Sequence, residues 1–189
     1  MSEPAPPRKL LVLDLDETLI HATEQALDRE ADFQFGPYFV YRRPHLDEFI
    51  QRVSQHFDLA VWTASGEVYA RIVVQKIFPP GLLRFVWASR RCTTALDPMT
   101  GGYMTIKNLS KIKRRGFDLA SVVAVDDTPS KYGRSYGNLV HVSEFVGDPA
   151  DTELRWLAEY LPTLATVANV RKVEKRGWRK AIEGRSAGE

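Results

Sequence analysis

The sequence has few of the features that define secreted or membrane proteins. Its 189 residues contain a single cysteine, Cys92, so no disulfide can form within the chain. No apolar stretch near the amino terminus approaches the length of a signal peptide or of a membrane span, which needs about 20 apolar residues. We therefore expect a soluble, cytoplasmic protein in a reducing compartment, without membrane contact; the nucleus is a further location if the source is eukaryotic.

Signatures of several phosphate-handling proteins are also missing. No Gly-Lys-Ser loop is present, so the sequence gives no support for nucleoside triphosphate binding. Cysteine-dependent phosphatases need an arginine six positions after the cysteine, where this chain has Pro98. The four histidines match no metal-ligand spacing.

Length and charge predict one globular domain with a basic tail. A chain with 44% hydrophobic residues at this length can bury roughly 70% of its unfolded surface. The formal net charge is +2, but residues 171–185 hold seven basic and two acidic residues. We predict a disordered segment at 1–8, a globular domain at 9–168, and a basic tail at 169–189 that is helical in part.

Apolar runs alternate with helical patterns along the domain. The runs that predict buried strands are 10–13, 57–62, 83–88, 119–125 and 139–142. Helical spacing or a proline start predicts helices at 44–55, 66–78, 109–115 and 152–168. Residues 20–35 show no steady period and are predicted to be mostly loop, with a short helical stretch near Ala26, followed by a strand at 37–43. A hairpin is predicted within 90–105. This alternation predicts an α/β fold with a doubly wound parallel sheet.

Acidic residues stand where the first buried strand must end. Asp14 and Asp16, two positions apart, can face one small volume, and their repulsion is relieved by protonation or by a bound cation. Such a pair suits a Mg²⁺ site with a carboxylate nucleophile. The alternative is that Asp16 or Thr18 caps the next element, and these residues alone do not decide between the two interpretations.

Other polar residues follow the remaining strands. Thr63 follows the second strand, Asp126 and Asp127 follow the fourth, and Lys107 lies between the hairpin and a helix. Because ligands bind where parallel strands end, we expect these groups to share one rim with the first two aspartates. The basic residues in 109–115 are better explained as a solvated helix face, although a basic face could also steer an anionic partner.

The motifs together resemble the haloacid dehalogenase (HAD) superfamily of phosphotransferases. The sequence D-x-D-x-T from Asp14, then Thr63, Lys107 and the Asp126-Asp127 pair match its four motifs. More narrowly, the chain is similar to FCP/SCP-type (NLI-interacting-factor-like) phosphatases, which act on phosphoserine of the RNA polymerase II C-terminal domain. The matching segments are DLDETLIH, RPHLDEF, WTAS, KNLSKI, VDDTPSKY and DTELRWL. The resemblance implies a HAD-like Rossmannoid sheet with short hairpin inserts and no large cap domain.

The resemblance also implies a role for each motif residue. Asp14 is the expected nucleophile that forms an aspartyl phosphate, and Asp16 the expected general acid and base. Mg²⁺ is the expected cofactor, held by the carboxylates of Asp14 and Asp126, by the main-chain carbonyl of Asp16, and by Asp127 directly or through water. Thr63 and Lys107 are expected to bind the phosphoryl oxygens.

The function that follows is a Mg²⁺-dependent phosphomonoesterase acting on phosphoserine or phosphothreonine in a protein or peptide. The alternatives are a small-metabolite phosphatase, a nucleic-acid 3′-phosphatase and a non-catalytic binding module. Two departures concern the substrate. Asp127 stands where the small C-terminal-domain phosphatases often carry Asn, and residues 20–43 look too short for the three-stranded insert of those enzymes, leaving space for a loop and one strand pair.

Overall fold

A parallel sheet of five strands, in the order β10-β9-β1-β5-β6, forms the centre of the molecule. The computed structural model describes residues 7–97 and 99–186. Its strands are β1 (Lys9–Leu13), β2 (Ile20–Thr23), β3 (Phe33–Phe35), β4 (Tyr38–Arg42), β5 (Phe57–Trp62), β6 (Leu83–Trp87), β7 (Thr93–Leu96), β8 (Tyr103–Ile106), β9 (Val122–Asp126) and β10 (Leu139–His141). The α-helices are α1 (Leu46–His56), α2 (Glu67–Ile77), α3 (Ser110–Lys113), α4 (Glu153–Ala165) and α5 (Trp178–Ser186).

Strand β1 lies in the middle of this sheet, between β5 and β9. Leu11 and Leu13 pack into the core that α1, α2 and α4 share, while Leu10 and Val12 pack into the core on the α3 side. All four side chains are fully buried. Burying one leucine completely stabilises a fold by about 1.5–3 kcal/mol. The apolar run is therefore a strand covered on both faces, and the predicted doubly wound fold is confirmed.

The parallel strands bring the predicted site residues to one edge of the sheet. Leu13 lies opposite Val61 of β5 and Val125 of β9, so the three strands end at the same level. The residues that follow these positions include Asp14 and Asp126. This alignment is the reason that residues more than 100 positions apart can meet.

The segment after β1 differs from the prediction of a loop with one strand pair. Strands β2, β4 and β3 form a three-stranded antiparallel sheet, so the expectation that residues 20–43 are too short for such an insert is wrong. No helix occurs near Ala26. Strands β2 and β3 have four and three residues, which is too short to show an alternating pattern. Both pair with β4, and Ile20 of β2 is fully buried.

The other short insert is the predicted hairpin, in which β7 pairs with β8. Towards the carboxyl end, the ring of Trp178 stacks on Tyr160 of α4 with 5.4 Å between centroids, so α5 packs on the body of the molecule. Residues 1–6 of the predicted disordered segment lie outside the described residues. The division of the chain at 8/9 and 168/169 stays a prediction.

Candidate active site

Two buried carboxylates face each other at the ends of β1 and β9. The backbone N–H of Asp14 donates to the carbonyl of Val125 at 3.1 Å, which continues the pairing of the two strands one residue beyond β1. The N–H of Leu15 donates to Asp14 Oδ1 at 2.9 Å, so the chain turns around this carboxylate. Asp14 is 2% exposed and Asp126 is fully buried. Burial of two acids side by side requires compensating positive charge.

Two lysines supply that charge. Lys107 Nζ lies 2.9 Å from Asp14 Oδ1 and 2.5 Å from Asp126 Oδ2. Lys131 Nζ lies 3.1 Å from Asp14 Oδ2 and 3.4 Å from Asp126 Oδ1. The prediction from sequence placed Lys107 at this rim but did not single out Lys131. A short 3₁₀ turn, Pro129–Tyr132, follows the paired acids and brings Lys131 back over them.

The two carboxyl groups respond differently to this environment. Burial alone would raise the pKa of Asp14, but the charges of Lys107 and Lys131 hold it below its usual value. Burial and the charge of Asp14 raise the pKa of Asp126 to about 7. Burial opposes protonation of Lys131, yet the two carboxylates keep its pKa above the usual value. This environment thus favours the ionised form of Asp14 and disfavours that of Asp126.

The same edge can hold a metal ion. One carboxylate oxygen each from Asp14, Asp126 and Asp127 lies within 4.8 Å of the others. Thr18 Oγ1 donates to Asp127 Oδ1 at 3.3 Å, and Thr128 Oγ1 donates to Asp127 Oδ2 at 3.0 Å, which orients that carboxylate. A set of three carboxylates is a donor set that hard divalent cations such as Mg²⁺ accept. The residues present therefore fit a divalent cation.

The Asp16 carboxylate lies outside this oxygen cluster and accepts three hydroxyl hydrogen bonds. Its Oδ2 accepts from Thr63 at 3.2 Å and from Ser65 at 2.7 Å, and its Oδ1 accepts from the Tyr69 hydroxyl at 2.6 Å. Burial and the charge of Asp16 raise the pKa of Tyr69, so the phenol stays a donor. The carboxylate of Asp16 is therefore fixed beside the oxygen cluster of Asp14, Asp126 and Asp127 rather than within it. That its main-chain carbonyl binds metal stays a prediction.

Comparison with known proteins identifies the family. The model for NLI interacting factor-like phosphatases matches residues 9–171. The chain belongs to the NLI interacting factor-like phosphatase family. Among its relatives, CTD nuclear envelope phosphatase 1 of Xenopus laevis is 37% identical over 185 residues, covering 89% of this chain and 72% of that protein. The Caenorhabditis elegans homologue of that phosphatase is 34% identical over 195 residues, covering 95% of this chain and 76% of that protein. The chain is therefore an enzyme of the phosphatase class.

Solved structures support the same fold. Fission yeast RNA polymerase II CTD phosphatase Fcp1 bound to beryllium fluoride aligns with a TM-score of 0.57 at 21% identity. That alignment covers 96% of this chain, and the chain spans 63% of the Fcp1 chain. In the part of this family member that the structure describes, no helix combines the length and apolar character that crossing a bilayer requires.

The turn after β1 carries an acid that the sequence did not single out. Glu17 has φ of 57°, a left-handed conformation that is uncommon for residues with a side chain. Burial, followed by the charges of Asp16 and Asp127, raises the pKa of Glu17 to about 7. His21 Nδ1 lies 3.3 Å from Glu17 Oε1. The negative charge around Glu17 is therefore only partly compensated.

A buried arginine holds this turn in place. Arg43 Nε and Nη2 donate to the two carboxylate oxygens of Asp151 at 2.9 and 2.8 Å, and Nη1 donates to the carbonyl of Thr18 at 3.0 Å. Asp151 Oδ1 also accepts from the backbone N–H of Glu153 at the start of α4. The only sequence signal for Arg43 is its place in the RPHLDEF segment, whose partner lies 108 residues away.

Proposed function

We propose that this phosphatase is Mg²⁺-dependent and removes phosphate from phosphoserine or phosphothreonine in proteins through an aspartyl phosphate on Asp14. The observation that carries the proposal is the pairing of two differently held acids, Asp14 between two ammonium groups and Asp16 under three hydroxyl donors. The first arrangement favours an ionised nucleophile. The second positions a carboxyl group that can exchange a proton beside it.

The reaction consists of two displacements at phosphorus. In the first, a carboxylate oxygen of Asp14 forms the bond to phosphorus while the bond from phosphorus to the serine or threonine oxygen breaks, and Asp16 donates a proton to that oxygen. In the second, Asp16 takes a proton from a water molecule that attacks phosphorus, and the bond to Asp14 breaks to release phosphate. The first step requires Asp14 to be ionised when substrate binds, in agreement with its lowered pKa, and the second step releases Asp14 as a carboxylate.

Cationic and hydroxyl groups of the chain hold the phosphoryl group. Lys107 and Thr63, which now contact Asp14 and Asp16, are the residues we assign to the phosphoryl oxygens. Lys131 joins them because its ammonium group is less buried than that of Lys107 and lies 3.1 Å from Asp14. Phosphoryl transfer depends mainly on such positioning and charge neutralisation.

Asp14, Asp126 and Asp127 are the residues that would hold Mg²⁺, which when bound neutralises negative charge on the phosphoryl group and its carboxylate neighbours. Two properties of these residues support this assignment. Their oxygens lie within 4.8 Å of one another, and carboxylate oxygens are ligands that Mg²⁺ accepts.

A protein substrate is favoured by the surroundings of Asp16. The rings of Phe35 and Tyr38 lie 5.8 and 6.4 Å from that of Tyr69, whose hydroxyl contacts Asp16. Aromatic side chains beside the reacting group can bind residues that flank a phosphoserine. A cleft of about 650 Å³ lies against the carboxyl-terminal segment and does not enclose the aspartates. Relatives named CTD phosphatases agree with a phosphoprotein substrate.

Kinetics with a substrate panel tests this proposal. We expect kcat/KM for a phosphoserine peptide to exceed that for sugar phosphates and nucleotides by at least about tenfold, roughly 1.4 kcal/mol of transition-state binding. A sugar phosphate or a 3′-phosphorylated oligonucleotide that is cleaved faster than every phosphopeptide would refute the protein substrate. The absence of hydrolysis with any substrate would favour a binding module.

A second experiment tests the chemistry. Asp14→Asn, or excess chelator with the unchanged enzyme, should abolish hydrolysis of an aryl phosphate, while Asp47→Asn serves as the matched control because Asp47 lies on the exposed side of α1, with 73% of its side chain accessible. Turnover that persists in Asp14→Asn or in chelator removes Asp14 or the metal from the mechanism.

The cytoplasmic location stays a prediction, and the relatives named for the nuclear envelope make a membrane-associated location the alternative to test.

A further inference from the structure

A basic cleft that the proposed chemistry does not use lies at the carboxyl end of β6. It has a volume of about 210 Å³, the space of about seven water molecules at ~30 Å³ each. Its lining consists of five cationic residues and one aromatic residue: Arg90, Arg91, Lys111, Arg114, Arg115 and Trp87. No acidic side chain is among them. We refer to these six residues as the basic cleft.

The cations of the basic cleft have little compensating charge. Among the described residues, no acidic group forms an ion pair with Arg91, Arg114 or Arg115 within 4.0 Å, and Arg90 has only a 3.8 Å contact with Glu67. Lys111 Nζ donates to the carbonyl of Arg91 at 2.7 Å, which fixes its ammonium group among the guanidinium groups. Like charges held together disfavour one another, and a bound anion relieves that repulsion.

Aromatic packing orders two of these guanidinium groups. The guanidinium carbon of Arg91 lies 5.3 Å from the ring centroid of Trp87, and that of Arg115 lies 6.0 Å from the same ring. Trp87 is 5% exposed, and its indole N–H has no acceptor in the described part of the chain. Arginine side chains with restricted motion lose less entropy when they bind, and the guanidinium fork matches a phosphate group.

The basic cleft is close to the phosphoryl-binding residues. The carbonyl of Trp87 accepts a hydrogen bond from the N–H of Thr63 at 2.9 Å, and the N–H of Ser89 donates to the carbonyl of Ser65 at 2.9 Å. Neighbouring strands lie ~4.8 Å apart, so the cleft is one or two strand spacings from Thr63. An extended peptide advances ~3.3–3.6 Å per residue, so one or two strand spacings, about 5–10 Å, correspond to about one to three residues.

We propose that the basic cleft binds a second phosphate on the substrate, carried by a phosphoserine or phosphothreonine about one to three residues from the one that is cleaved. The inference rests on the proposed function, because it requires a phosphorylated protein segment at Asp14. A solvated surface patch is the competing explanation for exposed arginines. Two observations favour the second phosphate: the lining contains no acid, and the cleft adjoins the residues that bind the first phosphate.

A pair of peptides separates the second site from the first. One contains a single phosphoserine, and the other also carries a difluoromethylene phosphonate analogue of phosphoserine, which cannot be hydrolysed, one, two or three residues to either side. For the unchanged enzyme, we expect kcat/KM to rise at least about tenfold in the best phosphonate peptide, which equals about 1.4 kcal/mol. This ratio should fall as salt increases, because exposed charges are screened.

Substitutions assign the effect to the basic cleft. The double variant Arg91→Gln, Arg114→Gln keeps a polar side chain at both positions but removes two charges. It should lower the ratio of kcat/KM between the phosphonate peptide and the single phosphopeptide towards one. The double variant Arg52→Gln, Arg155→Gln is the matched control, because both arginines are exposed on α1 and α4 and its net charge changes equally. The control should keep the ratio of the unchanged enzyme. Circular dichroism checks that both variants are folded.

The outcomes distinguish failure of the inference from failure of the proposed function. If every phosphonate peptide reacts like the single phosphopeptide in the unchanged enzyme, the second site is refuted and the phosphoprotein substrate stands. If neither peptide reacts while an aryl phosphate does, both proposals are wrong. A peptide ratio near one, with phosphatidylserine vesicles that bind the unchanged enzyme but not the Arg91, Arg114 variant, assigns the cleft to a lipid surface and also refutes the inference.

Discussion

Arg43 provides a test of how the fold supports the site. Its side chain is fully buried, whereas the side chain of its partner Asp151 is 17% exposed. The same guanidinium group binds the carbonyl of Thr18, and the Thr18 hydroxyl accepts from the backbone N–H of Asp127. The arginine therefore joins the turn after β1 to the start of α4. Through Thr18, it also supports Asp127 of the carboxylate cluster. We predict that Arg43→Met destabilises the protein and weakens catalysis together.

The size of the effect follows from the buried charge that remains. Removing one member of a buried ion pair costs about 3–5 kcal/mol, because the other charge stays without a partner. Partial solvation of Asp151 places this case near the lower end, about 3 kcal/mol. For a chain of this length, 1 kcal/mol shifts Tm by roughly 2–4 °C, so Tm should fall by about 6–12 °C.

The neighbouring residue gives a matched control. Arg42 forms an ion pair with Asp47, but both side chains are accessible, at 28% and 73%. Exposed pairs contribute about 0–1 kcal/mol, so Arg42→Met should change Tm by no more than a few degrees. Urea and thermal unfolding of both variants measure the difference. Equal losses in the two variants, or an unchanged Tm in Arg43→Met, would refute the assignment of Arg43 as the support of the turn.

Three further predictions concern single side chains of the site. Asp16→Asn should slow phosphorylation of the enzyme by roughly 10²- to 10⁴-fold with an alkyl phosphate and by less with an aryl phosphate, and equal losses in single-turnover assays would contradict its role as general acid. Lys131→Met should lower kcat/KM by about 10- to 100-fold, since a hydrogen bond to a charged group contributes ~1.5–3 kcal/mol. The control Lys113→Met, at an exposed position, should leave kcat/KM unchanged, and similar values for both variants would remove Lys131 from the site. Burial raises the pKa of the Cys92 thiol, so its alkylation by iodoacetamide should keep accelerating as pH rises through 9; a plateau below pH 8 would show a thiol of lowered pKa.

The sequence was sufficient to predict the central sheet and the residues at its edge. Runs such as residues 10–13 are apolar at every position, which is typical of parallel strands covered on both faces, and the polar residue after each run marks where the strand ends. Because all these strands run in one direction, their ends coincide without any information about contacts. Asp14, Thr63 and Asp126 could be predicted for that reason.

The residues that the sequence did not reveal are those whose partners lie far along the chain. Lys131 contacts Asp14 across 117 residues, and Arg43 contacts Asp151 across 108. The chain has 26 lysines and arginines, and nothing in their local pattern shows which of them turn inwards. In the insert, β4 agrees with the strand predicted at 37–43, but β2 and β3 were missed for a related reason. Its strands are stabilised by pairing with one another and by burial of Ile20, not by a pattern within each strand.

The charges of the site agree with the two proposals, a bound metal ion at the carboxylates and an anion-binding basic cleft beside them. A phosphate dianion that approaches Asp14 meets five carboxyl groups and two ammonium groups: Asp14, Asp16, Glu17, Asp126, Asp127, Lys107 and Lys131. The carboxyl groups outnumber the ammonium groups, and burial and the neighbouring carboxylates raise the pKa of both Glu17 and Asp126 to about 7. A divalent cation reduces the excess of negative charge at the reacting oxygens, but its field is local and partly screened by the carboxylates. The basic cleft lies outside that shell of acids, so it can attract a phosphorylated segment before the segment reaches Asp14. On this argument, the acids perform the chemistry, while the arginines beside β6 raise the local concentration of the anionic substrate.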